Sequence, residues 1–187
     1  MKLFDLVFLL LFFATFVALI FAAYSAVRGR IGQASRIVLG TAGVWIIYLG
    51  IVVAVSLATP RRVVAVGEER CFDDWCITVL GKSAGPPIAV TLRVSSQAKR
   101  VRQSAPDTTV YLEDTGGKRY SPRSMESQPS FGTMIGPGES FETIRLFDVP
   151  ANVRILGLVV RHSTGPGAVI IGEDSAVFHS PAIVKFE

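Results

Sequence analysis

The sequence predicts a membrane-anchored all-β protein: a two-helix transmembrane hairpin followed by an antiparallel β-sandwich. Three observations carry this. Two apolar stretches without Asp, Glu, Lys, Arg or His, Leu6 to Val27 and Ile37 to about Thr59, lie back to back near the start of the chain. A short arginine-bearing segment, 28–36, separates them. Beyond Pro60 the apolar residues recur in short runs between turn residues, with no amphipathic helical period.

Each apolar stretch has roughly 22 to 24 residues, enough for a helix to cross a ~30 Å hydrocarbon core. Arg28, Arg30 and Arg36 sit between them, whereas the segment before Leu6 offers Lys2 against Asp5. Short loops rich in Lys and Arg stay on the cytoplasmic side. The three arginines therefore fix the topology: residues 28–36 inside, both ends of the hairpin outside. Arg61 and Arg62 pull the other way. The first stretch is too long and poorly flanked for a cleaved signal, and neither stretch carries a lipobox cysteine.

Small residues recur on one face of each helix: Ala14, Ala18 and Ala22 on the first, Gly40, Gly43, Gly50 and Ala54 on the second. Small side chains let backbones approach where lipid supplies no hydrophobic drive. These stripes are expected to meet inside the hairpin, with Phe8, Phe12, Phe16, Leu19, Ile46 and Ile47 toward lipid. The absence of ionisable residues within the spans argues against a channel or transporter.

Residues 1–60 thus form one unit and 61–187 a second, of ordinary single-domain size. The second unit carries 15 Lys or Arg against 14 Asp or Glu, so the overall charge of +4 comes largely from the residues flanking the spans. A nucleic-acid interface would need a basic face that is missing here. The lipid bilayer is the first partner, and an envelope protein or polysaccharide the second.

Cys71 and Cys76, the only cysteines, bracket Phe72-Asp73-Asp74-Trp75. In an oxidising compartment such a pair forms a disulfide if the chain turns back between them, and Asp-Asp favours that turn. Reduced thiols and a zinc half-site are the alternatives, the latter lacking two ligands unless His162 and His179 supplied them. Trp75 is expected to pack near the bridge, Asp73 and Asp74 to form a solvated turn, and both histidines to lie at the surface.

Strands are expected at Arg62 to Val66, Cys76 to Leu80, Ile88 to Val94, Thr109 to Leu112 and Phe141 to Phe147. Three more follow at Val153 to Val160, Val169 to Ile171 and Ile183 to Phe186. In Ile88 to Val94, apolar residues alternate with Ala, Thr and Arg, the mark of a half-buried strand. Asp114-Thr-Gly-Gly and Gly136-Pro-Gly-Glu read as tight turns, and 120–133 as a long irregular loop.

"IGPGESFETIRLFDVP" (Ile135 to Pro150), "VYLEDTGGKRYSP" (Val110 to Pro122) and "IAVTLRVSS" (Ile88 to Ser96) together resemble a telokin-like, immunoglobulin-fold extracellular domain of bacterial lipoproteins and membrane-anchored proteins. Where that family continues its core strand into an Asn-containing turn, this chain has Ser95-Ser96-Gln97. The resemblance implies an immunoglobulin-like sandwich, an exported location and a bacterial source, and brings no catalytic residues. No local signature for hydrolase, metalloprotease or phosphate-binding chemistry occurs. A non-enzymatic binding or structural module is expected, without cofactor or metal. An accessory subunit docked through the hairpin is the alternative. A thiol-disulfide protein using Cys71 and Cys76 is a weaker one, since the spacing is not Cys-x-x-Cys. Lys99, Arg100 and Arg102 form the one basic cluster after the spans.

Overall fold

The computed structural model describes residues 3–72, 74–125, 127–162, 168–171 and 176–186. They divide into two compact units. One holds the N-terminal helices with residues 168–171 and 176–180, the other residues 61–162 and 181–186 without the undescribed positions.

In the first unit, α1 spans Leu3–Val27 and α2 spans Ile31–Ala58. At ~1.5 Å per residue they measure about 37 and 42 Å. The link is tighter than the sequence suggests. Arg30 N–H donates to Ser25 O (2.9 Å), Gly29 N–H donates to Ala26 O (2.9 Å), and Gly29 has φ +76°. This is a Schellman closure with glycine in its left-handed position. Residues 31–36 consequently join α2, so Arg36 lies on a helix rather than in a loop. The turn itself carries only Arg28 and Arg30. Pro60 and the Thr59 N–H to Val55 O bond (2.9 Å) end α2.

The packing of these helices also departs from expectation. A Cβ built on Gly40, Gly43 or Gly50 would meet no atom within 4 Å, and Ala14 is exposed. Of the proposed stripes Ala22 is buried and Ala18 and Gly43 are half-covered, while Ala14, Gly40, Gly50 and Ala54 are exposed. The seam is made instead by larger groups. Trp45 Nε1 donates to Thr15 Oγ1 (2.9 Å), whose own hydrogen goes to Leu11 O (2.8 Å). Phe8 lies edge-on to Trp45 at 6.3 Å, and Trp45 edge-on to Tyr48 at 5.7 Å. A polar pair inside an apolar helix surface gains by meeting its complement. That selects the Thr15–Trp45 face over the glycine face, and draws Phe8 inward rather than out. Residues 168–171 are not a strand; Val169 O accepts the Tyr48 hydroxyl at 2.9 Å.

The second unit is a sandwich of two sheets. Among the described residues its strands are β1 (Val63–Val64), β2 (Glu69–Phe72), β3 (Trp75–Lys82), β4 (Ile88–Ser96), β5 (Thr108–Asp114), β6 (Arg119–Tyr120), β7 (Ser140–Phe147), β8 (Ile155–His162) and β9 (Ile183–Lys185). Sheet order is β1-β9-β8-β5-β6 on one side and β2-β3-β4-β7 on the other. Among the described residues β1 with β9 is the one parallel pair. The alternation expected for Ile88 to Val94 holds: Val90, Leu92 and Val94 are fully buried, opposite Arg145, Thr143 and Phe141 of β7. From the facing sheet come Val110, Leu112, Leu158, Val160 and Val184, which close one core.

Strand β2 was not expected, being short and polar, whereas β6 is the second arm of the hairpin that the Asp114-Thr-Gly-Gly turn implies. The Asp114 turn forms as read: its Oδ1 accepts from Gly116 N–H (2.8 Å) and Lys118 N–H (2.9 Å), with Gly117 at φ +82°. The residues after Tyr120 are irregular yet tied down along β7. Arg123 N–H donates to Leu146 O (2.8 Å), and Gln128 Oε1 accepts from Ile144 N–H (3.1 Å).

Candidate functional site

The chemistry-bearing side chains gather in two places on the sandwich. The first is the β2–β3 hairpin. Its register sets Cys71 directly opposite Cys76, with Cα atoms 3.9 Å apart and sulfurs bonded at 2.01 Å. Cys71 faces solvent and Cys76 is buried. Glu69 stands beside them, its carboxylate accepting from Ser95 Oγ (2.9 Å) and Gln97 Nε2 (3.3 Å). Glu69 and the two sulfurs lie within 4.8 Å of one another, but with both sulfurs in a disulfide there is no thiolate to bind zinc. Asp74 accepts from Gln97 N–H and Gln103 Nε2, as suits a turn residue. Asp73 lies outside the described residues.

Trp75 is buried and stacks on Phe72 at 4.9 Å, while His162 meets its edge at 5.2 Å. His162 is therefore half-buried in an aromatic cluster rather than free at the surface, because β8 ends alongside this hairpin. His179 is likewise half-buried. Arg70 lies over the Phe72 ring at 4.7 Å and donates to Val160 O at 3.0 Å, which fixes the hairpin across the two sheets. These contacts give a braced, structural end to the sandwich. Lys99, Arg100 and Arg102 stay exposed nearby in sequence and do not converge on it.

The second place went unread in the sequence. In β7, period two sets Phe141, Thr143, Arg145 and Phe147 on one face and Glu142, Ile144 and Leu146 on the other. The first set faces inward, so Arg145 is carried into the seam between the sheets. It is 8% exposed. Its guanidinium lies 4.8 Å from the Phe131 ring centroid and donates to Pro129 O at 2.9 Å, a carbonyl that also accepts from Thr143 Oγ1. Among the described residues no carboxylate pairs with it. Burial lowers its pKa from the usual guanidinium value. Arg145 lines a groove of about 710 Å³ bounded by the start of β5, the chain from Ser121 to Met125, and Phe131. Arg123, the other cation on the rim, is paired with Asp148. A sequence signal existed: an arginine in register with two phenylalanines. Because Ile and Leu occupy the opposite face, the alternation alone could not tell which side was interior.

No family model and no curated protein matches the chain. Among solved structures, it is similar to MPT63, a secreted protein from Mycobacterium tuberculosis: 17% identity over 58% of this chain and 93% of that one, TM-score 0.41. It is also similar to an uncharacterised β-sandwich protein from Clostridium difficile: 13% identity over 69% of this chain and 96% of that one, TM-score 0.43.

Proposed function

We propose that the chain is a non-enzymatic, membrane-anchored module. In this reading α1 and α2 cross the cytoplasmic membrane, and the sandwich, immunoglobulin-like and telokin-like in type, stands on the extracytoplasmic face as a binding or structural element. The observation that carries it is the surface of the helices. Only 6% and 11% of their most apolar windows are buried. Phe13, Phe16, Leu39, Ile46 and Ile47 are each more than half exposed. Water would penalise such a surface by roughly 25 cal/mol per Å², whereas a bilayer accepts it.

Three further observations support the orientation. The arginines that argued against it, Arg61 and Arg62, are engaged within the sandwich: Arg61 with both carboxylate oxygens of buried Glu113, Arg62 with Glu68. Arg28 and Arg30 remain at the interhelix turn, where basic residues mark the cytoplasmic side. The cystine is of the kind that persists in oxidising compartments.

The reading is tested by extraction. The full-length chain should stay with the membrane pellet through alkaline carbonate, while a chain starting at Arg61 and given an export signal should be recovered soluble. Release of the full-length chain by carbonate would discard it. A second reading, an accessory subunit docked through the hairpin, is favoured by one observation: Gly40, Gly43 and Gly50 are open and unused within the hairpin. Leucine at Gly43 should then abolish co-purification of a partner without altering membrane insertion.

A further inference from the structure

We propose that the groove around Arg145 is a binding site for a hydroxylated carboxylic acid of the sugar-acid type. A buried cation without a counter-ion is costly, and proteins normally pair it or dispense with it. Arg145 is nine-tenths buried, and among the described residues the protein offers its five N–H donors a single carbonyl and one aromatic face. That carbonyl, Pro129 O, already has Thr143 Oγ1, so the bond is not needed to satisfy it.

An inward-pointing charge can guard an edge strand against pairing with another chain. Here β7 needs no such guard, because the chain at Arg123 and Gln128 already covers that edge. Arg145 instead lines an open groove. Its volume, about 710 Å³, falls in the range of small-ligand sites.

The lining narrows the ligand. Thr109, Ser121, Ser124 and Ser130 bring hydroxyls, and Gln128 an amide, suited to a polyhydroxylated body. Arg123 is paired with Asp148, which among the described residues leaves Arg145 as the one cation of the groove without a carboxylate. One planar fork with unit charge matches a carboxylate, whereas a phosphate dianion would bring a second, unmatched charge. The site lies wholly within the sandwich and stands apart from the membrane reading, so either can fail alone.

The test is calorimetric titration of the full-length chain in nanodiscs with sodium D-glucuronate, against D-glucose and inorganic phosphate. Saturable binding of glucuronate is expected, with glucose and phosphate at least tenfold weaker. Arg145→Met should weaken glucuronate at least tenfold while melting no lower than the unmodified protein. Ser124→Phe, which fills the groove and keeps the arginine, should also lose binding. In the unmodified chain the Arg145 Nε–H resonance should shift during the titration, a readout that needs no variant. Absence of saturable glucuronate binding, phosphate binding as tight as glucuronate, an unmoved Arg145 resonance, or full affinity in either folded variant would each overturn the assignment.

Discussion

Asp114 closes the β5–β6 turn with one carboxylate oxygen on two backbone N–H groups and the other on the Tyr120 hydroxyl (3.2 Å). The Lys118 N–H is the largest of the influences that lower its pKa, with the Gly116 N–H and Tyr120 hydroxyl acting the same way against a desolvation that opposes them. A carboxyl whose folded pKa is depressed contributes stability above its unfolded value, and that stability is lost as pH falls through the folded one. The melting temperature should therefore drop on acidification below the ordinary carboxylate range, and Asp114→Asn should flatten that part of the profile. Gly157 marks a different constraint. A Cβ there would sit 2.3 Å from Val184 O, so β8 approaches β9 only because this residue has no side chain. Gly157→Ala should cost about 2 kcal/mol or more through overpacking, read as a lower melting temperature. The Asp114 turn was legible in the sequence, since Asp-x-Gly-Gly states its own geometry. Gly157 was not, because its neighbour in space lies far along the chain. Arg145 escaped for a related reason: alternation sorts residues into two faces, and only the fold says which one is inside.

The elements carry their own predictions. In the helical hairpin, hydrogen bonding and aromatic contact decide the seam rather than small-residue spacing. Thr15→Val should weaken association of the two helices by roughly 0.6 kcal/mol, the usual worth of an interhelix hydrogen bond in a membrane. Gly50→Ala should leave it unchanged, since nothing stands within 4 Å of the added Cβ. Distance measurements between spin labels on the two helices would separate these outcomes. The β2–β3 hairpin is braced by its cystine, and the loop it closes is short. Cys71→Ser with Cys76→Ser should accordingly lower stability by only about 2 kcal/mol on the loop-entropy account, with the sandwich still folded. Most strands were readable from period two and turn residues. The apolar run Val169 to Ile171 misled, since a short apolar run looks the same whether it joins a sheet or packs on a helix. Strand β2 was missed because Glu69 and Arg70 are polar, yet its pairing with β3 makes it a strand. The extension of α2 to Ile31 was hidden because its first turns are polar while apolar content set the expected boundary.

At the scale of the molecule, two units of opposite solvent preference share one chain. The helices leave their apolar residues uncovered, while the sandwich buries its own around Leu92, Leu112, Phe147 and Leu158. Composition averaged over the chain conceals this division, and charge reveals it: the 61–187 unit balances 15 basic against 14 acidic residues. Membrane display of the sandwich is the claim on which the functional reading rests, and thiol accessibility in intact cells tests it most directly. Two single-cysteine probes would be introduced with the native Cys71–Cys76 bridge retained: Thr115→Cys in the β5–β6 turn and Gln33→Cys near the start of α2. With a membrane-impermeant maleimide, Thr115→Cys should label in intact cells, and Gln33→Cys only after the membrane is opened. Labelling of Gln33→Cys with protection of Thr115→Cys, or recovery of both probes in the soluble fraction, would contradict the account.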